Sequence, residues 1–178
     1  MVQKKINVVN NPQSNLKLVS GVAPVPYMLS AGGNVALGTD GVVSNNSLDM
    51  FTEMKVAALI HKLYSSNPTA ANALDVIKMA TINGAKALGL DHEIGSIEVG
   101  KRADVIIIDT HNAHAQPLYN VYSNIVYSHK GSDVETVIID GNIIMENKQI
   151  RNSKLDSVLY DVSQLSKRIA KALKVKFM

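Results

Sequence analysis

The sequence predicts an α/β fold, because three patterns follow one another along its 178 residues. Residues 6–37 contain a short β-branched run, a short helical segment and a second apolar run, which is typical of a βαβ unit with parallel strands. Two longer segments follow, with apolar residues at three- and four-residue spacing. From residue 103 the apolar period changes to two, which indicates strands.

The N-terminal unit is predicted from its turn residues as much as from its apolar runs. Residues 6–9 predict a strand, and the Asn-Asn-Pro sequence at 10–12 predicts a turn after it. Prolines before residues 27–29 and glycines after them predict a short helix. Residues 34–37 predict the second strand, which leads into Gly-Thr-Asp-Gly at 38–41.

Two longer helices are predicted next. The first has Ser47 as a candidate cap and an inward face formed by Leu48, Phe51, Met54, Ala58, Leu59 and Leu63. The second covers residues 69–88 and ends at Gly89, with an inward face formed by Leu74, Ile77, Thr81 and Leu88.

The last third of the sequence predicts strands and one long helix. Residues 103–109 are nearly all β-branched, which predicts a buried strand. Residues 134–139 and 143–145 predict a hairpin with its turn at Asp140-Gly141 or Gly141-Asn142. Residues 155–173 predict an amphipathic helix whose basic face carries Lys167, Arg168, Lys171 and Lys174. Exposure of this face to water explains the cations, and the alternative is binding to a membrane or an acidic partner.

The composition excludes several classes of protein. With 46% hydrophobic and 19% charged residues, the chain is too apolar to be disordered. The absence of cysteine excludes disulfides, thiolate metal sites and a cysteine nucleophile. A net charge of +3 without a basic stripe indicates no nucleic-acid partner, and no apolar run is long enough to span a membrane. Because the N-terminal residues lack the apolar core of a signal peptide, we expect a cytoplasmic location.

Asp40 is the strongest candidate for a catalytic residue. It follows a predicted parallel strand, where α/β folds place catalytic groups, and the flanking glycines allow a ligand to approach the backbone closely. A carboxylate at this point can bind a divalent metal and accept a proton from water. The alternative is that Asp40 is only a turn residue that caps the next segment.

The five histidines do not form a recognisable metal motif. They are His61, His92, His111, His114 and His129, and neither an HxH pair nor an HExxH sequence is present. His111 and His114 are three residues apart, but they lie in a polar loop after a strand, so we expect surface residues rather than metal ligands. His61 lies in a helix rich in apolar residues and is interpreted as a packing or surface residue.

Four segments, taken in order, resemble one family. Residues 10–62 contain NNPQSN and GTDG, and residues 73–90, 94–109 and 117–145 follow in the same order. Together they resemble the C-terminal part of an amidohydrolase-superfamily enzyme. The nearest relatives are the 5-methylthioadenosine/S-adenosylhomocysteine deaminases, followed by the triazine and related chlorohydrolases.

The resemblance implies a fold and two site residues. Residues 1–92 would form the last strands and helices of a (β/α)8 metal-dependent hydrolase barrel, residues 93–152 strands of the flanking small β-sandwich, and residues 153–178 a C-terminal amphipathic helix. Asp40 would bind the catalytic divalent metal and take up a proton of the attacking water, and Ser44 would line the substrate site. Asn10 stands where the family usually has histidine.

The family's HxH pair, its HxxE segment, its substrate-binding arginines and a further histidine all lie N-terminal to the matching region. We therefore expect a fragment or one half of a split enzyme, completed by an N-terminal half or by self-association. The parent enzyme would deaminate adenine nucleosides with a divalent metal, zinc being favoured over iron or manganese. The alternatives are a chlorohydrolase or guanine-deaminase-like enzyme, and a truncated domain without catalysis.

Overall fold

The N-terminal part of the chain forms a two-stranded parallel sheet. A computed structural model describes residues 6–152 and 154–174. β1 (Asn7–Asn10) pairs in parallel with β2 (Asn34–Leu37), which confirms the predicted βαβ unit. Between the strands lie α1 (Pro12–Lys17) and α2 (Val25–Ser30). The turn predicted at residues 10–12 is wrong, because a helix begins there: Pro12 occupies the first helical turn, where its missing amide donor costs nothing.

Four helices follow β2. They are α3 (Val42–Asn45), α4 (Met50–Tyr64), α5 (Ala73–Ala80) and α6 (Ile82–Leu88). The prediction of one helix over residues 69–88 is therefore wrong. The helix is interrupted at Thr81, where φ is −127° and ψ is −99°. The Thr81 hydroxyl donates to the carbonyl of Ile77 over 2.7 Å. Gly89 ends α6 in the left-handed conformation, as predicted.

The inward faces of these helices differ from the predicted ones. Leu59, Leu63 and Leu88 are exposed, whereas small residues and two polar residues of α4 are buried. Alanines at positions 57 and 58 are fully buried, and they allow α4 to lie close to its neighbours. Asp49 rather than Ser47 caps α4, since its carboxylate accepts from the Phe51 amide over 2.9 Å.

The C-terminal part forms an antiparallel sheet of four strands. Its order is β3 (Val105–Ile108), β4 (Val134–Ile139), β5 (Asn142–Glu146) and β6 (Gln149–Ile150), and α7 (Val121–Tyr127) lies between β3 and β4. The predicted hairpin turn is confirmed. Asp140 and Gly141 have φ of 49° and 76°, and positive φ at both central residues is what a two-residue hairpin of this kind needs.

Two apolar surfaces in the last third of the chain are exposed. β3 was expected to be buried, but it is an edge strand, and Ile106 and Ile107 are about half exposed. α8 (Leu155–Leu173) has the predicted bounds. Its apolar side chains, which include Val162 and Leu165, are nevertheless exposed.

The buried core lies between β2, α4, α5 and α7. Val35, Val76, Met79 and Val126 are completely buried in it. Within the described residues, none of the helices combines the length and the apolar character that crossing a membrane requires. The division into segments 1–92, 93–152 and 153–178 stays a prediction.

Candidate active site

Asp40 lies in the loop that follows β2, and its carboxylate is exposed. Its φ is +62°, in the left-handed region that aspartate tolerates better than most residues. One carboxylate oxygen accepts from the Ser14 hydroxyl over 2.5 Å, and the other accepts from the Gly41 amide over 2.7 Å. The Gly41 contact is typical of a turn residue. The Ser14 contact joins residues 26 apart in sequence, so Asp40 is held by more than its own turn.

These hydrogen bonds also favour the ionised carboxyl. The Ser14 hydroxyl, followed by the Gly41 amide and the Ser44 hydroxyl, lowers the pKa of Asp40 below its ordinary value. Asp40 is therefore a carboxylate at neutral pH, which is the form that attracts a cation. Since the group is exposed, its charge remains accessible to a ligand.

Ser44 lies in α3, beside Asp40, so the structure brings the two site residues of the sequence prediction together. Its hydroxyl donates to the carbonyl of Gly41 over 3.0 Å. Lys17, the last residue of α1, contacts α3 and its end. Its ammonium group donates to the Val43 carbonyl over 2.7 Å and to the Asn46 side-chain oxygen. Helices α1 and α3 thus flank the Asp40 loop.

Gly38 allows this loop to pass close to β1. A β-carbon at this position would lie 2.5 Å from the Asn11 side-chain oxygen and 3.0 Å from a methyl group of Val9. Real side chains do not approach so closely, so a larger residue would require the Asn11 side chain or the loop to move. Close packing beside Asn11 and Val9 therefore favours glycine at position 38.

Glu53, which the sequence analysis missed, is completely buried behind the site. Its carboxylate accepts from the Gln13 amide over 3.2 Å and from the Asn45 side chain over 2.8 Å. Burial raises the pKa of Glu53, and these hydrogen bonds offset part of that effect. Glu53 thereby connects α4 to both α1 and α3.

His61 is the second buried polar residue of α4. Its Nε2 atom lies 3.1 Å from the side-chain nitrogen (Nδ2) of Asn10, at the end of β1. Burial lowers the pKa of His61, so it is a neutral packing residue, as expected. A four-residue spacing places Glu53, Ala57 and His61 on one helix face, and this spacing is the pattern that would have revealed both buried polar groups.

The remaining histidines lie away from Asp40. His92 and His111 contact neighbouring carboxylates at the surface. His114 and His129 both contact Asp133. Among the described residues, this group of three is the one cluster with metal-ligand geometry, and Asp40 does not belong to it.

The family of the chain is shown by comparison with known protein families. The model described as "Amidohydrolase family" matches residues 1–144. The chain belongs to the amidohydrolase family. This membership confirms the resemblance inferred from the NNPQSN and GTDG segments.

Curated relatives cover most of this chain. A 5-methylthioadenosine/S-adenosylhomocysteine deaminase of Acetivibrio thermocellus is 52% identical over 166 residues, which is 93% of this chain and 38% of the relative. A 5′-deoxyadenosine deaminase of Methanosarcina acetivorans is 53% identical over 148 residues, 83% of this chain and 34% of the relative. The chain thus spans less than two fifths of the length of the relatives it matches.

Solved structures confirm the α/β fold. An adenosine deaminase from Xanthomonas campestris, solved with bound zinc, superposes with a TM-score of 0.93 at 37% identity, covering 96% of this chain and 39% of that one. An atrazine chlorohydrolase from Arthrobacter aurescens, complexed with zinc, superposes with a TM-score of 0.85 at 22% identity. The match covers 92% of this chain and 36% of the chlorohydrolase chain. At this lower identity the second match is informative about the fold alone.

Proposed function

We propose that the chain is the C-terminal part of a divalent-metal-dependent deaminase that acts on adenine nucleosides. One observation carries the proposal: the exposed Asp40 carboxylate, fixed by Ser14 and the Gly41 amide, follows a parallel strand in a chain more than 50% identical to adenine-nucleoside deaminases. Methylthioadenosine, S-adenosylhomocysteine and 5′-deoxyadenosine are the candidate substrates.

The described residues supply only part of a catalytic metal site. A hydrolytic metal needs three or four protein ligands, and Asp40 offers one carboxylate with no histidine, aspartate or glutamate cluster around it in residues 6–152 and 154–174. A bound divalent ion, zinc in preference to iron or manganese, would polarise the attacking water. In this proposal Asp40 provides one ligand and takes up a proton, and the other ligands come from a second polypeptide segment.

Ser44 and Asn10 have subsidiary roles in the proposal. In this proposal Ser44 lines the substrate site; it lies in α3, four residues after Asp40, and its hydroxyl donates to the Gly41 carbonyl. Asn10 stands in place of the family's histidine, and its contact with His61 fixes the end of β1. This contact supports a structural rather than a catalytic role for position 10.

A complementing N-terminal half, or a second copy of the chain, is the proposed partner. The surface supports this proposal through an apolar groove of about 640 Å³ between α4, α5, α6 and β3. Side chains at its rim that are exposed include Ile97 and Ile106. Contiguous exposed apolar side chains are typical of a surface that another polypeptide covers. The cytoplasmic location expected from the sequence stays a prediction.

The test is a complementation assay. The purified chain is measured alone and after mixing with the N-terminal region of the Acetivibrio thermocellus relative, and ammonia release is followed with each candidate nucleoside and added zinc. We expect turnover in the mixture. Asp40→Asn in the chain should lower that turnover by about 10³-fold or more, because removing one member of a catalytic group has effects of this order.

The matched control is Asp91→Asn, which removes an exposed carboxylate outside the site and should leave the turnover unchanged. Chloride release from a chlorotriazine, or deamination of guanine alone, would favour the chlorohydrolase or guanine-deaminase alternative. If every mixture remains inactive while both polypeptides are folded and associated, the non-catalytic alternative replaces the proposal.

A further inference from the structure

A second group of ionisable side chains lies where three short segments meet. His114 lies in the 3-10 turn Ala113–Ala115 that follows β3. His129 follows α7, and Asp133 ends the 3-10 turn Gly131–Asp133 that leads into β4. His129 and Asp133 are buried, whereas His114 is partly exposed to solvent.

The three side chains converge on one point. The Nε2 atom of His114 lies 2.8 Å from Oδ2 of Asp133, and the Nδ1 atom of His129 lies 3.1 Å from the same oxygen. All three ligand atoms lie within 4.8 Å of one another. Ligand atoms around a tetrahedral zinc ion are about 3.3 Å apart, given metal–ligand distances near 2.0–2.1 Å. The two nitrogen–oxygen distances, 2.8 and 3.1 Å, lie within about 0.5 Å of this value.

The two carboxylate oxygens of Asp133 share the neighbouring hydrogen-bond donors unequally. Oδ2 of Asp133 faces both imidazole nitrogens and also the Lys130 amide at 3.0 Å, which is three donors for one oxygen. The other oxygen receives only a 3.4 Å contact from the Asn112 side chain. One carboxylate oxygen offers about two lone-pair positions, so three donors exceed its capacity. A cation that replaces the two imidazole protons would remove this excess.

We infer that His114, His129 and Asp133 form a divalent-metal site of zinc type, separate from the Asp40 site. Two imidazoles and one carboxylate are ligands for zinc and similar borderline ions, and they do not suit magnesium or calcium. The Lys130 amide and Asn112 hold Asp133 in place behind the ion. The exposed side of His114 leaves an entry path and a fourth position for water.

Such an ion would have a structural effect. It would join the segment after β3 to the start of β4, at the end of the antiparallel sheet that also contains the exposed edge strand. Because the ligands come from positions 114, 129 and 133, binding would stabilise the folded state over the unfolded chain. The site does not depend on the proposed deaminase activity.

The test is metal binding by the full chain after treatment with EDTA. Calorimetric titration with Zn²⁺, and titration with Co²⁺ followed by its visible absorption, should each show one bound ion per chain and a raised melting temperature. His114→Gln removes the partly exposed ligand and should keep the fold, which circular dichroism checks. Loss of an outer-shell partner alone weakens metal binding by about 10–100-fold, so loss of this ligand should weaken it by at least as much.

Two matched variants separate this site from others. His111→Gln removes a nearby exposed histidine outside the cluster, and Asp40→Asn removes the carboxylate of the candidate active site. Both should bind zinc as the unmodified chain does. Absence of zinc uptake by the folded chain, unchanged uptake by His114→Gln, or loss of uptake in Asp40→Asn would each overturn the inference. Equal occupancy by Mg²⁺ would overturn the assignment to a borderline ion.

Discussion

Asp40 and Asp133 are both held by hydrogen bonds that lower the pKa of their carboxyls, yet their surroundings are opposite. Asp40 is exposed, and the hydroxyls of Ser14 and Ser44 and the Gly41 amide lower its pKa. Asp133 is buried. Burial acts to raise its pKa, but hydrogen bonds from His114, the Lys130 amide and His129 outweigh burial and hold the pKa at about 2.

The difference separates two uses of a fixed carboxylate. Asp133 accepts hydrogen bonds from His114, His129 and the Lys130 amide, so in the absence of a metal its removal would leave buried donors without acceptors. The charge of Asp40 remains available to solvent, and few groups depend on it. A ligand can reach the exposed Asp40 carboxylate without disturbing buried hydrogen bonds, whereas an ion at Asp133 must replace the imidazole protons that the carboxylate now accepts. Variants of the two residues test this distinction directly.

The largest expected effect is on stability. In metal-free buffer, Asp133→Ala should lower the free energy of unfolding by about 3–5 kcal/mol, because it removes one partner from a buried, hydrogen-bonded charge cluster. Asp40→Ala should change it by no more than about 0.5 kcal/mol, as most surface substitutions do. Urea unfolding at neutral pH measures both. Equal losses in the two variants would contradict the distinction.

An intermediate effect is expected at Gly38, which tests whether the Asp40 loop depends on close packing against β1. Gly38→Ala should cost about 1–3 kcal/mol of unfolding free energy, because the new methyl group would overlap the Asn11 side chain. Gly41→Ala is the matched control, since a β-carbon there has no neighbour within 4 Å and φ is −80°. Urea unfolding of both variants checks this, and a loss as large for Gly41→Ala would show that packing is not the cause.

The smallest effect concerns the charge of Asp40 itself. Ser14→Ala removes the hydrogen bond that contributes most to the lowered pKa of Asp40, so that pKa should rise toward its ordinary value. Carboxyl NMR titration measures the change. Ser30→Ala removes a hydroxyl that contacts only the Tyr27 carbonyl and should leave the Asp40 titration unchanged. An unshifted pKa in Ser14→Ala would mean that the Gly41 amide and Ser44 suffice.

Elements with strong local patterns were predictable. The strand at 34–37, the turn at Asp140-Gly141 and the helix over residues 155–173 each depend on neighbours in sequence, and the structure has all three. Periodicity was less informative about burial. The spacing of apolar residues predicts which side chains share a helix face. Whether Leu59 and Leu63 are buried depends on which elements pack against that face.

The candidate site was only partly predictable for the same reason. Asp40 and Ser44 lie four residues apart in one short segment, so the family resemblance predicted both as site residues. Ser14 reaches Asp40 across 26 residues, and His114 reaches Asp133 across 19, and no local spacing encodes either contact. Glu53 resembles a solvent-facing helix residue until its partners on α1 and α3 are known.

The exposed apolar side chains of β3 and α8 have a thermodynamic consequence. The chain exposes 11996 Å², whereas a compact monomer of 19.2 kDa exposes about 8400 Å². Apolar groups that are already hydrated in the folded state add nothing to the heat capacity of unfolding. That heat capacity should therefore fall below the usual ~12–15 cal/mol/K per residue. The stability of the isolated chain consequently varies with temperature along an unusually shallow curve, and covering these surfaces would steepen it.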